Sequence, residues 1–510
     1  GKNHYYFLPL ILGLIGFFFQ LRKDGRNCWI TSLLFLLTGV AIIVYLNQSP
    51  YQVRERDYAY AGSFYVFTIW IGLAVMSLKE AFDKVFKKKE VASASSAAVL
   101  CLAVSVLMGC ENWDDHDRSH RCTARDLAIN YLESCDDQAI IITHGDNDTF
   151  PLWYAQEVEG VRRDVRIMNT SLLGMDWYID QMKVKCYDSE PLPISTPRRD
   201  YLYGTNDYVD VIKAIDRPIT AREAMAVFSD PKYRQRANRG VIVSDRIRVP
   251  VNKENAVKYG IVNAKDADKM VDFLEIELKE RNLSKTDLII LDILSNYEWD
   301  RPIYFVTPNG DCSYDLRRYL RCEGLTYKIV PFDIHAEPSL AIDADKIADR
   351  ILNKYALESF KDTTFHVDYQ NLYTFCAVTP IRATFVETAQ GLYEQGKNAE
   401  ALEILDRCFE YTPQRNFPYN ASLLNGANND IQVMAAIDLY LALDQKAKAL
   451  SIAEKFITET SKTCLYCASS YMDGLLDNQM LRKNAQYLYY LANVFKARGM
   501  EAEAKGLEDA

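Results

Sequence analysis

Four apolar runs crowd the start of the chain: Tyr5–Leu21, Trp29–Leu46, Gly62–Phe82 and Val91–Cys110. Each is close to the roughly 17–25 residues a helix needs to cross a bilayer. Four such runs in succession, joined by charged connectors, predict membrane helices rather than buried core helices. Beyond Asp114 the pattern turns polar and then alternates between helical and strand-like stretches. A helix is expected over Arg125–Ser134 and a strand over Ala139–Thr143. A turn at His144–Pro151 leads into a helix near Leu152–Val158, followed by a strand at Val165–Asn169 and a helix after Asp176. That order is the signature of a βαβ unit. Further strands are expected at Ile247–Val251, Asp287–Ile293, Pro302–Thr307 and Leu325–Pro331, with irregular chain from Tyr187 to Val251. From Ile381 the pattern becomes helical, and Ala389–Leu402 reads as a tetratricopeptide (TPR)-like helix–turn–helix with weaker echoes at Leu439–Leu450 and Leu491–Ala504.

The reading is of a multi-domain chain. Residues 1–112 would hold four transmembrane helices as the C-terminal part of a polytopic membrane domain, the chain opening at an internal point of a longer protein. Residues 113–380 would form a soluble, Rossmann-like α/β domain with a long insertion, and residues 381–510 a TPR-like α-helical repeat domain.

Basic residues set the orientation. Arg22, Lys23 and Arg26 follow the first run, and Lys84, Lys87, Lys88 and Lys89 follow the third, close behind Lys79. The second connector has Arg54 and Arg56, offset by Glu55 and Asp57. The positive-inside rule puts the first and third connectors in the cytoplasm. The Arg54–Tyr60 loop and all the chain after Cys110 then lie on the exported side. Leu107-Met108-Gly109-Cys110 looks like a lipoprotein cleavage box, but after three spans it reads as an ordinary helix end.

Composition narrows the choices. A net charge of −10 over 510 residues argues against a nucleic-acid partner, which would need a basic face. The 12 cysteines form no regular disulfide framework. Cys464-Leu-Tyr-Cys467 lacks the second CxxC or His pair of a zinc site, leaving a local disulfide or two thiols in a helix. Cys122 and Cys135 can pair if their side of the membrane is oxidising. There is no GxGxxG, P-loop or GxSxG.

Asp146-Asn147-Asp148 is open to two readings. A DxD after a strand can hold a divalent metal through hard carboxylate oxygens, with His144 as a further ligand or proton-transfer group. Gly, Asp and Asn also favour a turn, and Asp148 is placed to cap the following helix.

Three stretches together carry a resemblance: Tyr51–Tyr60 running into Ala61-Gly62-Ser63-Phe64-Tyr65, the segment His144–Tyr154, and Trp299-Asp300-Arg301-Pro302-Ile303-Tyr304-Phe305, all ahead of the helical tail. The chain resembles a bacterial family of polytopic membrane proteins related to the eukaryotic transmembrane protein O-mannosyltransferase. The resemblance implies a membrane-embedded glycosyltransferase of GT-C type in the bacterial inner membrane, using a polyprenyl-phosphate-linked sugar, with its C-terminal domains periplasmic. The family's catalytic acidic residues lie in an exported loop after the first span. This chain has no such stretch, so no catalytic residue is carried over. The exported loop would meet the donor phosphate and the membrane lipid through Arg54 or Arg56, with Tyr58 and Tyr60 near the headgroup, since Arg suits phosphate. A salt-bridge cluster with Glu55 and Asp57 is the other reading of that loop. The α/β and repeat domains would bind an acceptor protein. Two other functions fit the sequence: a non-catalytic membrane-anchored scaffold binding partners through the repeats, and a metal-dependent α/β enzyme working at Asp146 and Asp148.

Overall fold

The computed structural model describes residues 3–48, 56–86, 89–234, 239–307, 314–364, 378–420, 429–472 and 478–508. The chain divides into two compact units, Gly1–His120 and Arg121–Ala510.

The first unit is helical: α1 (Leu8–Lys23), α2 (Gly25–Thr38), α3 (Val40–Leu46), α4 (Ala61–Val85) and α5 (Glu90–His116). Among the described residues, three stretches are long and apolar enough to cross a membrane: Gly25–Leu46, Asp57–Val85 and Glu90–Trp113. The fourth expected span is shorter. Helix α1 has 16 residues, about 24 Å at the helical rise against a hydrocarbon core of about 30 Å. Helix α5 continues through Gly109 and Cys110 to His116 without a break, as expected of an ordinary helix.

Small residues let these helices approach closely, which is how helices associate where there is no water to expel. A Cβ on Gly16 would stand 1.7 Å from the backbone oxygen of Trp70, and one on Gly39 would stand 2.6 Å from Ser63 Oγ. Trp70 is buried, with Phe17, Phe35 and Phe67 ring centroids 5.2, 5.5 and 6.0 Å from its own. Its indole N–H donates to Gln20 Oε1 at 2.8 Å, so the polar atom is satisfied inside an apolar helix cluster.

The second unit opens with α6 (Thr123–Glu133), β1 (Ile140–Thr143), α7 (Asp146–Glu157), β2 (Arg166–Asn169) and α8 (Asp176–Met182). An insertion follows with β3 (Tyr208–Val211), β4 (Ile219–Thr220), α9 (Ala221–Ser229), β5 (Val241–Ile242), β6 (Arg246–Pro250), α10 (Lys253–Lys258), β7 (Phe273–Glu277) and β8 (Asn282–Ser284). The stretch read as irregular therefore contributes to two small three-stranded sheets, β5-β3-β8 and β4-β6-β7. The chain returns through α11 (Lys285–Ser295), β9 (Ile303–Phe305), β10 (Leu320–Cys322), β11 (Tyr327–Ile329) and α12 (Ala344–Asn353).

The strand expected at Asp287–Ile293 is helix α11 instead. Ser284 accepts from the Asp287 amide while the Asp287 carboxylate accepts from the Ser284 amide, a capping box that starts a helix. Burial on every side made its apolar run resemble a central strand.

The main sheet has the order β10-β11-β9-β1-β2. Strands β9, β1 and β2 run parallel, and β10–β11 is an antiparallel hairpin on the β9 edge. Alternate residues of β1 feed two cores, as the two-residue period requires. Ile141 packs with α6, α7, α12 and the C-terminal helices, whereas Ile140 and Ile142 pack with α8, α11 and the insertion.

The tail comprises a short helix α13 (Glu358–Lys361) and then α14 (Val378–Glu394), α15 (Asn398–Tyr411), α16 (Asn429–Ala442), α17 (Lys446–Met472), α18 (Gln479–Ala497) and α19 (Glu501–Glu508). The residues 380 and 381, where a domain boundary was expected, fall inside α14. The three sequence echoes are three tight helix–helix turns: α14 to α15, α16 to α17 and α18 to α19. Gly396 (φ +78°) and Gly499 (φ +73°) supply the left-handed residue for two of them. Cys464 and Cys467 lie within α17 as free thiols, and Cys122 and Cys135 are free as well.

Gly16→Leu should lower the melting temperature of the detergent-solubilised chain by the equivalent of about 3 kcal/mol, the upper end of overpacking costs. Gly72→Leu on the same helix pair, where no atom lies within 4 Å of the new Cβ, is the control and should melt like the wild type. Equal losses in the two variants would contradict the close crossing.

Candidate functional site

The parallel strands set one natural place for chemistry. Strand β1 has β2 on one side and β9 on the other, so the chain leaves its carboxyl end at the point where strand order reverses, the usual ligand edge of an open α/β sheet. His144 to Asp148 occupy that edge.

Its foundation is buried and polar. Thr143 and Thr149 hydroxyls are 2.7 Å apart, and Asn169 Nδ2 donates to Thr149 Oγ1 at 2.7 Å and to the Gly145 oxygen at 3.2 Å. The Leu172 amide donates to Asn169 Oδ1 at 3.1 Å, and the Asn169 amide donates to Tyr178 Oη at 2.8 Å. Thr143, Thr149 and Asn169 are fully enclosed, so each of these bonds offsets a desolvation that would otherwise cost about 1–3 kcal/mol. The network locks the ends of β1 and β2 to the start of α7.

Above it, Asp148 sits at the third position of α7. Its Oδ2 accepts from the His144 amide at 2.7 Å and its Oδ1 from the Gly145 amide at 2.8 Å. Both carboxylate oxygens are thus committed to the backbone of the turn. Asp146 is exposed in the first helical turn, where a negative charge also favours the helix dipole. His144 is exposed, with Nδ1 3.2 Å from Thr170 Oγ1. Among the described residues, no group of three His, Cys, Asp or Glu side chains is placed to hold a metal ion. The turn therefore offers an imidazole and an exposed carboxylate at a ligand edge, and its second Asp serves as a cap.

The membrane-unit residues are placed separately. Arg54 and Glu55 lie outside the described residues. Arg56 is exposed and precedes a short 3-10 turn, Asp57–Tyr60, that leads into α4. Arg56 and Asp57 form no ion pair with each other. Tyr58 is exposed and Tyr60 half-buried.

At the amino end of β1 lies a group of charges that the sequence reading did not single out. Glu323 and Lys328 are fully buried. Lys328 Nζ is 2.7 Å from Asp136 Oδ2, and Lys346 Nζ is 2.6 Å from Asp136 Oδ1 and 2.7 Å from Glu323 Oε2. Arg350 Nη2 donates to Asp136 Oδ1 at 2.8 Å, Arg321 Nε to Glu323 Oε1 at 3.0 Å, and Tyr304 Oη to Glu323 Oε2 at 2.9 Å. Burial alone would raise the Asp136 carboxyl, but Lys328, then Lys346 and Arg350, hold it at about 2 despite Glu323. Glu323 is likewise held well below the carboxylate range by Lys328 and Arg321 against its burial. The legible signal was a lysine in the middle of an apolar strand, at Lys328.

The Trp299–Phe305 stretch has a structural role. Trp299 is fully buried at φ +58°, a left-handed conformation uncommon for a bulky residue, and its indole N–H donates to the Pro250 oxygen at 2.8 Å. The turn delivers Pro302, whose oxygen accepts from the Ile140 amide at 2.8 Å, and so sets β9 against β1.

Together these features define a membrane-associated protein with a mixed α/β region and a helical C-terminal part. Comparison with known families adds one match: the family model described as TMEM260-associated domain 2 aligns with residues 124–348. That stretch runs from α6 to α12 and contains the whole five-stranded sheet, its insertion and the His144–Asp148 turn. No curated protein and no solved structure matches the chain.

Asp148→Ala should destabilise the protein by about 1 kcal/mol through the lost cap, and Asp146→Asn by a few tenths at most. Both are read from the shift in chemical denaturation midpoint. The depressed Asp136 and Glu323 carboxyls contribute stability that is complete above the ordinary carboxylate range. It is lost as pH falls through their folded values, about 2 for Asp136. Glu323→Gln should cost about 3–5 kcal/mol at neutral pH by leaving buried cations unpaired, and the variant should show a weaker dependence of stability on pH below about 4.

Proposed function

We propose that this chain is part of a membrane-embedded glycosyltransferase of GT-C type that draws on a polyprenyl-phosphate-linked sugar. Its α/β and helical regions hold an acceptor or partner protein on the exported side, in the arrangement expected of a bacterial inner-membrane enzyme with periplasmic domains. The observation that carries this reading is the TMEM260-associated domain match over residues 124–348 in a chain whose described residues also include three membrane-length helices.

The loop before α4 is the donor-side candidate. Arg56 is an exposed cation just ahead of a membrane-length helix, with Tyr58 and Tyr60 beside it. A guanidinium there can meet a lipid phosphate by charge-assisted hydrogen bonds while tyrosines occupy the interfacial layer. Arg54 is proposed as its companion. The acidic groups that do the chemistry are assigned to no residue of this chain. His144 and Asp146, at the ligand edge of the sheet, are proposed to meet the acceptor or a bound ion.

A second reading, a non-catalytic scaffold, draws on the three helix–turn–helix pairs of the tail, since stacked helical hairpins of the TPR kind commonly build protein-binding surfaces.

In proteoliposomes containing the full-length enzyme, labelled sugar should pass from a polyprenyl-phosphate donor to protein. Arg56→Glu should weaken donor binding about tenfold or more, the worth of one charge-assisted contact, while leaving acceptor capture intact. Transfer unaffected by Arg56→Glu would remove the loop from the donor site. Partner capture with no transfer by the wild type would favour the scaffold.

A further inference from the structure

Beside the free edge of β2, a cavity of about 370 Å³ lies between α7 and α8. Its walls include Trp153, Trp177 and Tyr187, with Arg163 and Arg166 alongside. Three observations bear on what it takes.

The first is an uncompensated buried charge. Arg166 is 4% exposed, and its Nη2 donates to the oxygens of Gln181 at 2.7 Å and Val184 at 2.9 Å. Its Nε and Nη1 are buried and have no hydrogen-bond partner among the described residues. No carboxylate among those residues is paired with it. Buried cations are normally paired, and an orphan of this kind calls for an explanation.

The second is that its surroundings deepen the positive field. Among the described residues, Arg301 donates only to neutral oxygens: Glu190 O at 2.9 Å, Pro191 O at 3.4 Å, Ser189 Oγ at 2.8 Å and the Gln138 carbonyl. Burial, then the charge of Arg166, push Arg301 down to about 10. Of the carboxylates that act on Arg301, Asp164 is paired with Arg162 and Glu190 with Lys185, and Asp300 is exposed to solvent.

The third is the opening. Arg163 is half-buried and lies over the Tyr187 ring, 4.7 Å from its centroid, with Nε donating to the Gln156 oxygen at 3.1 Å. Trp177 is exposed, and Trp153 is stacked on Phe150. Glu157, bound by the Tyr187 hydroxyl, is the acidic residue of the wall.

We propose that this cavity binds a small organic anion, a phosphate or carboxylate carried on a ring. The oxyanion is met by Arg163 in the field of Arg166 and Arg301, and the ring lies against Trp177 and Tyr187. Arginine suits both oxyanions, and aromatic walls favour a flat or ring-shaped body. The site is separate from the His144–Asp148 edge.

The test is calorimetric titration of the detergent-solubilised full chain with phenyl phosphate, benzoate, inorganic phosphate and phenol. Saturable binding of phenyl phosphate or benzoate is expected, and which of the two binds more tightly identifies the head group. Phenol should bind about tenfold more weakly or worse, as should phenyl phosphate or benzoate to Arg163→Gln, the equivalent of one charge-assisted contact. Trp177→Ala should weaken the ring-bearing anions and leave inorganic phosphate unchanged. Arg163→Gln and Trp177→Ala alter partly or largely exposed side chains, so they keep the test open even if Arg166→Gln fails to fold. No saturable binding of either ring-bearing anion, phenol binding as tightly as phenyl phosphate, or an Arg163→Gln variant that binds as the wild type does, would each overturn the proposal.

Discussion

The α/β region depends on one buried ionic cluster. Glu323 has no contact with water, and its charge is tolerated only because Arg321, Lys328, Lys346 and Arg350 surround it with Tyr304. The members come from the turn before β1, from β9, from the β10–β11 hairpin and from α12. Forming the cluster therefore fixes the antiparallel edge and the covering helix to the parallel strands at once. Apolar residues of similar size would often give as much stability. What the charges add is registry: a hairpin shifted by one residue would put Lys328 on the opposite face of the sheet, away from Asp136 and Glu323.

With the amino end of β1 held this way, its carboxyl end carries a different kind of polarity. The Thr143–Thr149–Asn169 network is closed and neutral, and it supports a turn whose His144 and Asp146 remain in solvent. The membrane unit solves its own packing problem by other means. Gly16 against Trp70 and Gly39 against Ser63 replace side-chain volume with close approach, since apolar burial gains little when the surroundings are lipid.

Much of this order was legible. The strand–turn–helix–strand pattern from Ala139 located β1, α7 and β2, and the small-residue echoes in the tail located three helix–helix turns. Asp148 was recognisable as a cap because the turn chemistry of Gly-Asp-Asn-Asp is local. Long-range effects were not legible. Asp287–Ile293 looked like a strand because helix α11 is buried all round and has no polar face to show a helical period. The partners of Glu323 and Lys328 come from elements scattered between Asp136 and Arg350, so their charges read as surface residues. Arg166 was hidden differently: an arginine in a short strand reads as an edge position, and only the fold shows that it is enclosed without a counter-ion. The run Tyr5–Leu21 is offset from its helix: α1 starts at Leu8, after the apolar Tyr5–Phe7, and carries on through Arg22 to Lys23.

The claim on which the functional account rests is that the loop before α4 and the α/β region face the same side of the membrane, opposite the lysines that follow α4. Cys122 and Cys186 are exposed free thiols in the second unit and can report its side directly. A membrane-impermeant thiol reagent, applied to intact membranes from the exported face, should label Cys122, Cys186 and an introduced Tyr58→Cys. Lys84→Cys should be labelled only after permeabilisation. Labelling of Tyr58→Cys and Cys186 from opposite faces would contradict the account, because a donor loop and an acceptor-binding region on different sides cannot serve one transfer.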